Sequence, residues 1–353
     1  MTRIDWVVLK RLTGSIALAL VVLIGLIALV ESLNTSRFRA LSDLGGPLIA
    51  VAAIIVAASR WAIATLSVIL LIGAIIGLLD LQATREMTMI KASGISVWRM
   101  MRAPLIAVLV FGTLVTLVVD TVTVQWNRAL WPGPQNRDAF SGRSLWIEQR
   151  GAEVPYLLEA RRASPTGTTL EQASIFMLGV PRERILAPVV TLGSGEWVMP
   201  TATRYRSNAV PETLTDFRLS TTNTVGDMRA KLSSINDLTV FELASTLAAR
   251  VNDPALRSAT LTRLLRLLGL PLSLAGSLLI AFAFTAGYRR TNKYGVAVLY
   301  GIVLGFMVYV VTEMAGRAGD AGAIDPIFAA TGPAIVAIVI GTTVLLNRED
   351  GRT

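Results

Sequence analysis

The chain has 353 residues, 53% of them hydrophobic and only 16% charged, with 33 Lys and Arg against 24 Asp and Glu. Soluble domains carry roughly a quarter charged residues, and mean hydropathy here is +0.59, which excludes a disordered chain, a coiled coil and an ordinary cytosolic enzyme. Cysteine and histidine are absent, which removes disulfides, Cys or His metal sites, thiol chemistry and Ser-His-Asp hydrolysis.

The first apolar run, Leu12–Val30, is free of charge and follows Lys10 and Arg11. No small-residue cleavage site precedes Glu31, so it reads as a membrane span and not as a cleaved leader. Leu48–Ser59 is apolar but short and ends at Arg60. Because an arginine at the membrane centre is costly, the segment reads as an interfacial or re-entrant helix after Pro47. The alternative is one long, tilted helix through Arg60. Trp61–Leu79 is the second full span.

Between the second and third spans the chain reads Leu81-Gln82-Ala83-Thr84-Arg85-Glu86-Met87-Thr88-Met89-Ile90-Lys91-Ala92-Ser93-Gly94-Ile95-Ser96-Val97-Trp98-Arg99-Met100. Glu86, Met89, Ile90 and Ser93 share a helical face. Gly94 is the left-handed stop with Ile95 as its apolar partner, and Ser96 caps a second short helix. A short amphipathic helix of this kind is either a docking surface or an interfacial helix packed on lipid heads. Ala103–Val119, extendable to Val124, is the third span, followed by Trp126 and Trp131 as interface anchors.

The segment 125–262 differs. Short alternating runs appear at Leu145–Glu148, Pro155–Ala160, Gln172–Leu178, Val189–Leu192, Glu196–Met199 and Leu214–Leu219, separated by Gly, Pro, Ser and Asn. They predict an all-β sandwich or jelly-roll. Val240–Arg250 has helical spacing, with Asn236-Asp237 ahead as cap candidates. Leu267–Tyr288, Tyr294–Thr312 and Pro326–Leu346 complete six spans. The predicted architecture is therefore an α-helical membrane protein with six transmembrane helices and an all-β domain. Residues 1–124 hold spans one to three and the loop helix (about 84–101), 125–262 the β domain and return helix, and 263–353 spans four to six with a tail.

The charge excess sits around the spans. Residues 125–262 hold 15 basic and 13 acidic side chains, which leaves 18 and 11 elsewhere, so the excess is not a nucleic-acid patch. With the N-terminus inside, Arg3, Lys10, Arg11, Arg85, Lys91, Arg99, Arg102, Arg289, Arg290, Lys293, Arg348 and Arg352 face the cytoplasm. Arg37, Arg39, Arg60 and Arg317 lie outside. This bias places both termini in the cytoplasm and the β domain on the far side.

The run Arg85-Glu86-Met87…Lys91-Ala92-Ser93-Gly94-Ile95-Ser96 resembles the loop of the lipopolysaccharide-export permeases, the LptF/LptG family. The order of spans and β domain matches along essentially the whole chain. The stretches Tyr300–Phe306, Glu313–Arg317 and Asn347–Gly351 look closer to the LptG branch. The first-span lysine of some LptG members has no counterpart in Leu26–Glu31. The resemblance implies a bacterial inner-membrane permease with a periplasmic β-jelly-roll. Its partners would be an LptF-like permease, an LptB-like ATPase dimer and LptC/LptA-like jelly-roll proteins, its substrate lipopolysaccharide among the membrane lipids. It maps the ATPase-coupling acid onto Glu86, with Met87, Met89, Ile90 and Gly94 around it.

For a polyanionic, multi-acyl lipid, Arg37, Arg39, Arg60, Arg128 and Arg317 are the outward bases suited to phosphates. By the resemblance, the first and fifth spans form the wall, with Phe306 and Tyr309 as apolar contacts. The bland reading of these bases is anchoring to phospholipid heads. No G-x-x-x-x-G-K-[ST] occurs, so ATP is expected to be used by the partner and no cofactor or metal to be held by this chain. No catalytic constellation is found, and nucleic acid is not an expected partner. A mechanotransmitter without transport, another lipid-exporter subunit or the LptF role are the competing readings. Mechanotransmitters usually place the large domain between the first two of four spans.

Overall fold

A computed structural model of the chain describes residues 3–33, 35–130, 145–149, 155–164, 168–179, 183–206, 209–225, 227–228, 235–248, 254–286 and 294–349. Its helices are α1 (Arg3–Ser32), α2 (Thr35–Ala83), α3 (Glu86–Ala92), α4 (Val97–Leu114) and, after a π-helical turn at Val115–Val119, α5 (Asp120–Leu130). Six strands follow among the described residues: β1 (Leu145–Gln149), β2 (Tyr156–Ala163), β3 (Thr169–Met177), β4 (Glu183–Leu192), β5 (Glu196–Arg206) and β6 (Glu212–Ser220). Then come α6 (Val240–Ala248), α7 (Pro254–Leu268), α8 (Leu270–Ala286), α9 (Tyr294–Asp320) and α10 (Pro326–Glu349). Residues 1–130 with 262–353 form one compact unit and 131–261 a second.

Among the described residues of the helical unit, five stretches are long and apolar enough to cross a membrane: Asp5–Val30, Gly46–Ala83, Val97–Asn127, Val298–Asp320 and Pro326–Asn347. The pair α7–α8, bent by 54°, adds a sixth if taken as one span. Helices suit hydrocarbon because every backbone donor is satisfied within the segment. Hydroxyls follow the same rule: Thr65, Thr113 and Thr285 each donate to the carbonyl four residues back.

The re-entrant reading of Leu48–Ser59 is corrected. Those residues belong to α2 and run on without a break through Arg60. Gly46, with φ 82°, and Pro47 mark where its membrane-crossing stretch begins. Arg60 lies 20 residues from Asp80 on this helix, roughly 30 Å, the thickness of the hydrocarbon. Arg60 does not interrupt the helix, and the charge of the Asp120 carboxylate acts on it.

Packing in this unit relies on glycine. A Cβ at Gly73 would stand 2.7 Å from the Ile16 Cα, and one at Gly77 3.0 Å from the Ser15 hydroxyl, so α1 lies directly on α2. Gly301 and Gly305 seat α9 on Ile75, Ile72 and Val68 of α2. Small residues at four-residue spacing let helices approach closely where no aqueous phase drives them together.

The fourth predicted span, Leu267–Tyr288, is broken at Gly269, and residues 287–293 lie outside the described residues. The cause is local. Pro271 has no N–H to give the Leu267 carbonyl, and the buried Thr116 hydroxyl donates to that carbonyl instead, at 2.8 Å. Thr116 sits in the π turn, where the widened backbone frees it to point at the break.

The β unit is one antiparallel sheet with strand order β1-β2-β3-β4-β5-β6. Alternation buries Ile147, Tyr156, Leu158, Ile175, Ile185, Val190, Trp197 and Met199 on one face. Gln149 at the end of β1 takes hydrogen bonds from Thr221 and Asn223, just past β6, and gives one to Thr222. The first and last strands therefore meet at one end, so the sheet is curled. α6 is capped by Thr239, not by Asn236-Asp237: the Thr239 N–H donates to the Glu242 carboxylate at 2.8 Å, and the Glu242 N–H donates back to the Thr239 hydroxyl. This is a capping box legible as T-x-x-E.

Tyr156, fully buried, donates its hydroxyl to the Ser220 carbonyl at 2.9 Å. Burial pushes its phenol above the usual tyrosine value. A raised folded value means that this contribution is complete below the unfolded value of about 10 and is lost as pH rises through the folded one. Tyr156→Phe should cost about 1 kcal/mol, seen as a lower thermal midpoint of the full chain in detergent by circular dichroism at the sheet wavelength. An unchanged midpoint would mean that this bond contributes nothing.

Candidate functional site

The turn from α2 into α3 is built from its last helical residues. The Thr84 N–H and hydroxyl both bond the Asp80 carbonyl, and Arg85 takes φ 64°, a strained value for a side-chain-bearing residue. α3 then runs for seven residues and ends where Gly94 takes φ 78°, the left-handed stop read from the sequence. Ser96 caps the next helix by accepting from the Arg99 N–H at 3.3 Å. That helix is not short: it continues as α4 through Pro104 into the third span.

Met87 and Met89 lie on opposite sides of α3. Met87 is buried against the bundle core, at 4% exposure, while Met89 is 69% exposed. Ile90 packs partly against the same core as Met87. Glu86 is held from inside the chain: the Arg11 guanidinium on α1 gives one nitrogen to Asp80 at 3.4 Å and the other to Glu86 at 3.3 Å. The second Glu86 oxygen is buried without a hydrogen-bond partner. Arg11 thus joins the end of α2, the start of α3 and the base of α1. Both pairs are partly exposed, so each contributes under about 1 kcal/mol. Their value is in position, not stability.

A second charged layer lies at the elbow of α7 and α8. Asp120 on α5 is 5% exposed, stands 4.0 Å from the Arg263 guanidinium, and feels the charge of Arg60. Arg266 pairs with Glu313 at 3.2 Å, and Glu313 also takes Arg317 at 3.0 Å. Two of the outward bases, Arg60 and Arg317, are therefore engaged by acids of the same chain. The side chains of Arg37, Arg39 and Arg128 lie outside the described residues. Phe306 is exposed on α9 and Tyr309 half-buried.

Sequence reasoning missed Arg11, Arg263 and Arg266. Arg11 was counted only as a topology signal. Arg263 and Arg266 stand three apart just ahead of an apolar run, the spacing that puts both on one helix face. Among the described residues no group of His, Cys, Asp or Glu is arranged to hold a metal.

No curated protein matches the chain significantly. The family described as "Lipopolysaccharide export system permease LptF/LptG" matches residues 6–347. With that match over nearly its whole length, and with several helices long and apolar enough to cross a membrane, the chain belongs to the LptF/LptG family, the multi-pass inner-membrane permease subunits of the ABC exporter for lipopolysaccharide.

Proposed function

We propose that this chain is the LptG-type permease, and that α3 with its flanks is the surface on which an LptB-like ATPase dimer docks. The observation that carries this reading is the coupling loop. A short helix stands between two spans, anchored by Met87, with Met89 exposed and Glu86 at its first turn. ATP is spent in the partner, which leaves this chain without a nucleotide or other cofactor. An LptF-like permease completes the membrane part. The basic loops, α3 and both termini are cytoplasmic and the β domain periplasmic, as the distribution of Lys and Arg supports.

The curled sheet supports a periplasmic jelly-roll that passes the lipid to LptC/LptA-like domains. Its buried face is apolar, and β6 offers an unpaired edge among the described strands. Phosphates of lipopolysaccharide are met by outward bases. Arg317 is the best placed of those described, with a side chain 78% exposed; Arg37, Arg39, Arg60 and Arg128 complete the set. Phe306 and Tyr309 line the acyl side.

Glu86→Ala should weaken ATPase docking by about 10- to 150-fold, the equivalent of a charge-assisted bond of roughly 1.5–3 kcal/mol. The measurement is co-purification of the ATPase in detergent, with lipopolysaccharide release from vesicles as the second readout. Arg11→Ala should keep docking but lower the ATPase activity coupled to release, because Glu86 loses its link to α1. Unchanged docking and release in Glu86→Ala would overturn the assignment.

A further inference from the structure

Glu86 already has a cationic partner within its own chain, and we propose that Arg11 is a built-in competitor of the ATPase: docking on Glu86 requires the Arg11 guanidinium to leave that carboxylate and fall back on Asp80. The inference rests on reading α3 as the docking surface, and it names what regulates access to the acid there.

Neither oxygen of Glu86 is open to a base from outside. Oε1 accepts from Arg11 at 3.3 Å. Oε2 is buried and has no hydrogen-bond partner among the described residues. A basic group of the ATPase can therefore reach only the oxygen that Arg11 holds, and there the two cations repel each other at close range. Turning the carboxylate to bring Oε2 to the surface breaks the same pair. Both routes separate Arg11 from Glu86.

The part that yields is the guanidinium. Val8 and Leu12 of α1 are buried in one core with Met87 of α3, and a Cβ at Gly77 would stand 3.2 Å from the Leu12 side chain. The helices that carry the pair are thus seated. The Arg11 side chain is 49% exposed and sits on a long flexible stem. Its place of retreat is built in. The turn at Arg85, with φ 64°, brings two acids six residues apart in sequence to one base. The other guanidinium nitrogen is already 3.4 Å from Asp80. Arg11 keeps Asp80 before and after docking, and Glu86 exchanges Arg11 for the base of the ATPase. Every charge has a counter-charge in both states, so the exchange costs one partly exposed ion pair, at most about fivefold in affinity.

The test titrates the full-length chain, with its partner permease in detergent, with the ATPase dimer. Arg11→Ala should tighten binding about two- to fivefold, the equivalent of an exposed ion pair. Arg11→Met keeps an apolar stem on α1 and should do the same, which separates charge from packing. Asp80→Asn removes the place of retreat and should weaken binding about twofold. Arg11→Ala added to Asp80→Asn should restore the affinity of Arg11→Ala alone, because Asp80 acts through Arg11. In a Glu86→Ala background, Arg11→Ala should change nothing. Weaker binding in both Arg11 variants would make Arg11 a support of Glu86 and overturn the exchange. Unchanged binding overturns it as well, and so does tightening that persists without Glu86, which would be an effect of net charge. Docking that survives Glu86→Ala strikes the docking reading itself. Docking weakened by Glu86→Ala but not tightened by the Arg11 variants strikes the exchange alone.

Discussion

Gly73→Leu should push α1 off α2 and cost about 3 kcal/mol, the upper range for overpacking. The side chain has nowhere to go. A Cβ at this position would stand 2.7 Å from the Ile16 Cα and 3.2 Å from the Ile16 backbone nitrogen. Backbone atoms of a helix retreat only if the whole helix retreats. In hydrocarbon the separated faces gain lipid contacts as good as those they lost, so little pulls α1 back. α1 also carries Arg11, so its displacement should take the clamp away from Asp80 and Glu86 and depress export along with stability. Thermal unfolding in detergent should fall by several degrees. Gly25→Ala is the control: nothing lies within 4 Å of a Cβ there, and both the midpoint and export should stay as in the parent. Equal behaviour of the two variants would remove close packing as the reason for Gly73.

Asp120→Leu should be the most damaging single change in the charged layer, at about 3 kcal/mol, because it removes a buried carboxylate from between the arginines it faces. Asp120 is buried and 4.0 Å from Arg263, and Arg60 lies within reach of its charge. Removing the carboxylate takes the buried acid away from both guanidinium groups and leaves Asp320 as an acid that still acts on Arg263. The diagnostic is the cycle: Arg263→Met added to Asp120→Leu should recover part of the loss, since the pair is removed together. Detergent melts of the four proteins give the coupling. Additive losses would mean that Asp120 acts through something other than its arginines.

These two sites also show what the sequence made legible. Apolar runs placed the spans because length and the absence of charge are all a bilayer demands. The same rule misplaced the break at Arg60. A charge counted as a boundary was tolerable because its acid is supplied by Asp120, a residue remote in sequence. Alternation located the strands, because one face of the sheet is buried and a one-residue slip would turn every side chain over. It missed the first half of β4, where Arg184 and Pro188 interrupt the apolar rhythm.

In the loop around α3 the Gly94 stop was readable from a single residue. The opposite fates of Met87 and Met89 were not, because a seven-residue helix is oriented by its neighbours and not by its own periodicity. The bend at Gly269 lay hidden within an apolar run, although Gly269 and Pro271 together spell it out.

The π turn at Val115–Val119 has a geometric effect beyond freeing Thr116. One added residue in a helical turn advances the angular phase of all that follow by about 100°. Asp120 is the first residue after that step, so the direction of its carboxylate is decided by a count of residues and not by any neighbour's chemistry. Shortening the turn by one residue would restore a plain α-helix with the same composition and swing the acid by more than a quarter of a turn, away from Arg263. The helix would keep its hydropathy and its length within a residue, yet carry its charge on a different side.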